Sequence, residues 1–546
     1  MIEVQKLTKH YYNRENKSFV AIKDISFDVK KGEIVCVVGP SGSGKSTILK
    51  CLTGLDTKYE GSIKINGLDN SKYLKSNRIA LVSQQYSNFP WLNVFENIAI
   101  GFYNKNKSED EVHTETNKLL KRVGLYKVKE HFPNKLSGGM QQRIAIARAI
   151  AQQTGLIAFD EPFGALDVQT RSQMQEFLAR LWEEEQKTMI LVTHDIDEAI
   201  YLADRIIVLG LNPGMVKEVV NVNIKRPRKS EIRFHDDFIK LKKFISYIIR
   251  SESIKASLEE GIITDTDVFK MGLYIWSGNT LLYYAKDNSL FIDESLDVEQ
   301  INFEDNKKKV ELWEQGKLDA INVTLDKAIE LHSKISDLRI VSVLNRSVGG
   351  DALVSQSKIK SVTELKGKTI GLEKGSAAEF FLSYILQKEK MTSKDVKIKD
   401  MQCSEIGAGI IAGNIDAGII WEPWLEKALE LSNLNILKTT KDYPVLYDVL
   451  IVSDKLLKQK TKEIEKIKKV WNQSVSTWKK QKKEIINVAS SYIGIPEREL
   501  TESLKKIEFF DKVPKDFDLI ISEIKKVLVK DKLIKDSYST EKLIIK

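Results

Sequence analysis

The chain is 546 residues long, 42% hydrophobic and 29% charged, with a net charge of +9. Length and apolar content allow two to four domains with real cores. The basic excess is lysine interspersed with acids and lacks an aromatic-basic stripe, so no nucleic-acid partner is expected. Three cysteines, Cys36, Cys51 and Cys403, stand far apart without metal-ligand spacing and read as buried free thiols of a reducing compartment. Met1-Ile2-Glu3-Val4 begins no secretory leader, and no run reaches the ~18 apolar residues that span a bilayer, so the expected location is cytosolic.

In chain order, the apolar run Ile34–Val38 predicts a buried strand turning into a helix through Gly39-Pro40-Ser41-Gly42-Ser43-Gly44-Lys45-Ser46-Thr47. Glycines at Gly39, Gly42 and Gly44 let backbone N–H groups close around a β-phosphate. Lys45 reaches the β/γ oxygens, Ser46 offers a hydroxyl to Mg²⁺, and the helix N-terminus adds partial positive charge. This pattern predicts nucleoside triphosphate binding, with Ser41 and Thr47 in the same cradle. Further on, Leu136-Ser137-Gly138-Gly139-Met140-Gln141 opens a helical run Ile144–Ile150 and presents a second helix N-terminus with phosphate-binding donors. One nucleotide needs one cradle, so the second points to a nucleotide held between two heads. Leu156–Phe159 predicts a central parallel strand ending in Asp160-Glu161. There Asp160 would hold Mg²⁺, directly or through water, and Glu161 would polarise the attacking water.

Over residues 1–250 these elements resemble the ATP-binding cassette (ABC) family. The resemblance implies that Ser137, Gly138, Gly139 and Gln141 belong to a signature motif acting on the γ-phosphate of a partner head, with Met140 where glutamine is commonest. It implies that Gln84, after Ile79–Val82, touches Mg²⁺ and the lytic water. It implies that His194, ending Ile190–Thr193, contacts the γ-phosphate and that Asp167 couples two heads. Adenine would stack on Tyr11 or Tyr12, with Tyr11 preferred. Gln84-Gln85-Tyr86-Ser87-Asn88-Phe89-Pro90-Trp91-Leu92 and Arg226-Pro227-Arg228 resemble the nitrate, sulfonate and taurine importer branch. That branch implies a separate transmembrane permease gripped after Gln84, an extracellular substrate-binding protein, a second ATPase head (a copy or a paralogue), ATP and Mg²⁺ as cofactors, and a peripheral place on the cytoplasmic face of the membrane.

The strand pattern fades after Val220 into the basic run Lys225–Lys229, read as solvated linker in preference to a lipid contact, and then into a helix over Phe238–Ile249. A polar linker is expected over 251–270, with the domain boundary near residue 265. Beyond it, strand–loop–helix units repeat. Gly272–Trp276 runs into Ser277-Gly278-Asn279-Thr280, and Thr369–Glu373 into Lys374-Gly375-Ser376. Gln315–Ala320 leads through Ile321–Val323 to Thr324-Leu325-Asp326, and its echo Ala412–Ala417 leads through Gly418–Ile420 to Trp421-Glu422-Pro423-Trp424. In both copies a glycine ends a helix before the strand, and Pro423 suits a first helical turn. Two α/β lobes with matching loops at their strand ends build a cleft, for which Trp276, Ser277, Asn279, Thr324, Asp326, Asp351, Ser376, Trp421 and Glu422 are candidates. Asn345–Asp351 reads as a further cleft loop near the crossover of the lobes.

This half resembles the periplasmic binding proteins of the same branch, including the thiamin-pyrimidine binders. The expected fold class is therefore α/β throughout: a P-loop ABC ATPase domain over 1–250 and a two-lobed type II periplasmic-binding-protein-like domain over 271–546. Fused to a cytosolic ATPase, such a cleft would sense accumulated solute and regulate transport by feedback, with inhibition the expected direction. Ser376 at a helix start and Arg346 are candidate oxyanion donors. Asp326, Asp351 and Glu422 beside Trp276, Trp421 and Trp424 suit an ammonium or cationic heterocycle, and a zwitterion such as taurine satisfies both. A structural or dimerisation tail is the main alternative. A pyrimidine-synthase-like enzyme is disfavoured because this half carries only Cys403 and His332, and a soluble cassette protein of translation or repair because there is one cassette and no coiled-coil insertion.

Overall fold

Short runs of Val, Ile, Leu and Phe without polar alternation form strands buried on both faces, and three of them, Ile34–Val38, Leu156–Asp160 and Thr188–Val192, lie inside one sheet. The computed structural model describes every residue except 13–17, 85–86, 104–106, 261–267, 275, 304, 423, 432, 494 and 546. Across this six-stranded sheet the order is Val216–Asn221, Arg205–Leu209, Ile34–Val38, Thr188–Val192, Leu156–Asp160, Ala80–Val82. All neighbours are parallel except the edge strand Val216–Asn221. Pleating sends Ile34, Cys36 and Val38 into one core cluster and Val35 and Val37 into another. The second cluster is closed by an antiparallel sheet ordered Ser18–Val29, Ile2–Tyr12, Glu60–Ile65, Leu68–Asp69.

Two expectations for the end of this half are corrected. The basic run is solvated only at Lys225, Pro227 and Lys229, which are exposed, whereas its arginines are structural: Arg228 is buried and donates to the carbonyls of Ile200, Tyr201, Val222, Ala203 and Ile224. Arg226 lies 4.2 Å over the Trp182 ring and also donates to Asp204. The helix reaches from Asp236 to Glu260, through the first ten residues of the expected linker. Its polar residues there are tolerated because Glu252 is paired with both Lys217 and Lys255 while Ala256 and Leu258 are buried. The chain divides into two units within this helix, between Ala256 and Ser257, and residues 261–267 of the expected linker lie outside the described residues.

The second unit, Ser257–Lys546, holds two sheets. One is ordered Val298–Phe303, Phe269–Tyr274, Ala320–Thr324, Tyr447–Ser453, Leu338–Ser347, Ile507–Phe509; the other Lys397–Asp400, Thr369–Leu372, Ala417–Trp421, Asp351–Ser355, Asn435–Thr439. The chain passes between them twice, from Ser347 to Asp351 and from Thr439 to Tyr447. The internal echo is physical: Gly316 and Gly413 both take left-handed φ, 70° and 74°, before the matching strands Ala320–Thr324 and Ala417–Trp421. Pro423 lies outside the described residues.

Candidate functional site

In the first unit, the turn after Ile34–Val38 demands glycine. Gly42 and Gly44 take φ of 85° and 83°, and a Cβ on Gly44 would stand 2.2 Å from Ile22 Cγ2. The helix Lys45–Thr53 starts from Gly44 without a side-chain cap, so its first N–H groups stay open to a ligand. Lys45 folds over the loop, its Nζ donating to the carbonyls of Gly39 and Pro40 at 2.9 Å each, and burial lowers its pKa. Ser43 Oγ is buried without a hydrogen-bond partner. Gly39 and Ser41 complete the loop, and Thr47 lies within hydrogen-bonding reach of Tyr11. Tyr11 also engages Asp56 and stands 6.0 Å from the Phe19 ring, whereas Tyr12 is exposed.

Strand Leu156–Asp160 delivers its terminal carboxylate to the loop: Ser46 Oγ donates to Asp160 Oδ1 at 2.9 Å. Burial raises the Asp160 pKa, so this carboxylate lacks enough nearby positive charge. Two hard oxygens with a charge deficit fit Mg²⁺. Among the described residues no group of three or more His, Cys, Asp and Glu could hold a metal. Glu161 sits at φ 47°, a left-handed turn that separates its side chain from that of Asp160. Its Oε2 receives Gln84 Nε2 and faces His194 Nδ1, each at 3.2 Å. Gln84, Glu161 and His194 thus meet beside the phosphate loop although they lie on three separate loops.

The remaining candidates stand apart from this cluster. Ser137 is exposed and accepts from Met140 N at the start of the helix Gly138–Ala151. Gly139 is packed so closely that a Cβ would lie 2.6 Å from Thr170 Cγ2, while Gln141 donates to Leu136 O. Asp167 caps the helix Val168–Glu185 through Thr170 N at 3.0 Å.

In the second unit a cavity of about 720 Å³ is lined by Trp276, Thr324, Asp326, Asp351, Ser376 and Trp421 of the expected set. Ser277 and Asn279 are buried outside this lining; Asn279 donates to Tyr274 O and accepts from Asn322, bracing the wall. Glu422 is corrected: it is buried away from the lining in an ion pair with Lys506. Arg346 is corrected too, because strand alternation turns Asn345 and Ser347 into the cavity and Arg346 away, onto Glu508 and the Tyr447 hydroxyl. Sequence reading missed Lys309, Asn322 and Asp448, which line the cavity from a helix and two strand interiors. Lys309 donates to Asn322 O at 2.6 Å and Oδ1 at 3.1 Å, and burial brings its pKa down to about 7. Burial raises Asp326 and Asp448 to about 6 and Asp351 to about 7. For Asn322 and Asp448 the available signal was a polar residue inside an otherwise apolar strand; Lys309 had none.

A glycine-built phosphate cradle with a hydroxyl, two acids, a glutamine and a histidine around it defines a nucleotide-hydrolysing P-loop head. The family model described as "ABC transporter" matches residues 22–164, and that described as "NMT1/THI5 like" matches residues 276–485. An aliphatic sulfonates import ATP-binding protein of Bacillus cereus is 42% identical over 218 residues, 40% of this chain and 85% of that one. A nitrate import ATP-binding protein of Synechocystis is 37% identical over 46% of this chain and 95% of its own length. A bicarbonate transport ATP-binding protein of Synechocystis is 30% identical over 469 residues, 80% of this chain and 70% of that one. The chain belongs to the ABC transporter ATP-binding proteins. It is an ATPase of α/β fold whose cassette is followed by an NMT1/THI5-like unit built on two sheets. Among the described residues no helix is long and apolar enough to cross a membrane.

Proposed function

We propose that this chain is the ATP-hydrolysing subunit of an importer for a small solute, and that its second unit binds solute and restrains hydrolysis. The observation that carries the reading is one polypeptide with both a hydrolytic cluster around Glu161 and, in its second unit, a cavity of about 720 Å³ lined by indoles and buried carboxyl groups. Similarity to sulfonate, nitrate and bicarbonate transport proteins supports a solute of the nitrate, sulfonate or taurine type or a related one. The chain would work at the cytoplasmic face of the membrane, on permease subunits fed by an extracellular binding protein.

In this reading the loop Gly39–Thr47 and Lys45 hold the phosphates, and Tyr11 stacks on adenine. Ser46, Asp160 and Gln84 hold Mg²⁺, which when bound neutralises phosphate charge. Glu161, its carboxylate held by Gln84 and His194, accepts a proton from the attacking water. Ser137, Gly138, Gly139 and Gln141 would complete the site of a second head, across a junction that Asp167 helps to couple. An exposed Ser137 at the start of the helix Gly138–Ala151 supports this pairing. In light scattering with ATP and Mg²⁺, the Glu161→Gln variant of the full chain should accumulate as a dimer of heads; a monomer under saturating ATP would remove the paired-head assignment. Adding taurine, ethanesulfonate, nitrate or bicarbonate to the wild-type chain should lower hydrolysis with one of them; constant hydrolysis across the set would remove the regulatory assignment.

A further inference from the structure

The two groups best placed to receive an oxyanion in the second unit are already spent. The helix Ala377–Lys388 begins at Ser376, whose hydroxyl accepts from Ala378 N and donates to Glu373 O. The same N-terminus carries its own carboxylate, since Glu379 Oε2 accepts from Gly375 N at 2.8 Å. Arg346 is bound to Glu508 and Tyr447 on the far side of its strand. Lys309 reaches the cavity with two N–H groups already given to Asn322. Its charge also faces Asp448, which Trp276 and Asn345 hydrogen-bond in addition.

The acids are in the opposite condition. The lining contains eight Asp and Glu residues against four lysines and no arginine. Two of those lysines, Lys327 and Lys334, are both paired with Glu330. Asp326 Oδ1 is buried in the lining without any hydrogen-bond partner, on a residue 8% exposed. Asp351 lines the same cavity from a strand of the second sheet, 6% exposed, with Ser347 hydrogen-bonded to its carboxyl. A buried carboxylate oxygen without a donor is destabilising, and a donor in the cavity would relieve it. Trp276, Trp421 and Tyr274 line the same space and offer aromatic faces to a flat or methylene-bearing cation.

We propose that this cavity binds a ligand through a protonated or N–H-rich nitrogen group, an ammonium or amidinium-type head taken by the unpartnered Asp326 carboxylate in the cavity that Trp276 and Trp421 also line. The inference rests on the reading that the second unit binds a small solute, and it names the chemical class of that solute. An orphan acceptor and a lining with twice as many acidic as basic residues favour a cationic nitrogen over a bare sulfonate, nitrate or bicarbonate.

The test uses the full chain and two matched pairs of probes, benzamidinium against benzenesulfonate and taurine against ethanesulfonate, followed by tryptophan fluorescence and calorimetry. The nitrogen-bearing member of at least one pair should bind saturably while its sulfonate-only partner binds at least about tenfold more weakly, a difference of about 1.4 kcal/mol. Asp326→Asn should weaken that binding about tenfold while ATP binding by the first unit stays unchanged. Equal or tighter binding of the sulfonate-only probes overturns the cation assignment and leaves solute sensing standing. No saturable binding by any of the four overturns both. The probe comparison is made on the unaltered chain, so a variant that fails to fold does not remove the test.

Discussion

The hydroxyl of Thr440 lies 2.8 Å from that of Ser347, so the two passages between the sheets of the second unit are tied side chain to side chain. Thr440 Oγ1 also accepts from Gly349 N at 2.8 Å and Asp351 N at 3.3 Å, and the residue is fully buried. Thr440→Val keeps the shape and removes the acceptor, leaving buried N–H groups without a partner. A stability loss of about 1–3 kcal/mol is expected in denaturant unfolding followed by the second unit's fluorescence. An unchanged midpoint would show that water replaces the hydroxyl.

Glu161→Gln retains the hydrogen-bonding shape beside Gln84 and His194 but removes the basic carboxylate. Steady-state hydrolysis should fall by about 10²–10⁴-fold, with nucleotide affinity retained. Hydrolysis within a few-fold of wild type would place the base elsewhere.

Lys506→Met strands the Glu422 carboxylate, which is 2% exposed and ion-paired to that lysine. Breaking one side of a buried pair costs about 3–5 kcal/mol. Adding Glu422→Gln should recover a large part of the loss in a double-mutant cycle; equal losses in single and double variants would mean the pair contributes little.

Glu198 is buried against Thr193, and desolvation raises its pKa to about 8 from an unfolded value near 4.5. The folded state therefore holds this proton more tightly than the unfolded chain. The cost is absent below pH 4.5, grows as pH rises, and is fully present above about 8. Glu198→Gln should gain stability relative to wild type between pH 5 and pH 9, read from denaturation midpoints. A difference independent of pH would show that Glu198 ionises freely.

The ATPase half was legible because its chemistry sits in contiguous strings. Gly39–Thr47 and Asp160-Glu161 each combine a strand end with the candidate residues beside it, so one local pattern carries both the fold and the candidate site. The cavity of the second unit resisted because its groups come from separate elements. Lys309 lies on a helix whose neighbours are Lys307 and Lys308, and nothing in that run marks the one lysine that turns inward. Arg346 was misread because a strand continues through it: one position of register decides whether a side chain meets ligand or Glu508. The linker was misread because polarity at Ser251 and Glu252 suggests solvent, whereas pairing with Lys217 and Lys255 lets the helix bury both.

The three thiols have a practical consequence for watching the second unit move. Cys36, Cys51 and Cys403 are all free and buried, and desolvation raises every one of their pKa values, Cys51 to about 11. Thiolate is the reactive form, so at neutral pH all three are nearly silent toward alkylating dyes. Two cysteines introduced on the surface, one on each sheet's outer helices, would therefore take a donor and an acceptor fluorophore in the otherwise native sequence. The distance between the lobes then becomes a spectroscopic ruler that can be read while ATP is turning over.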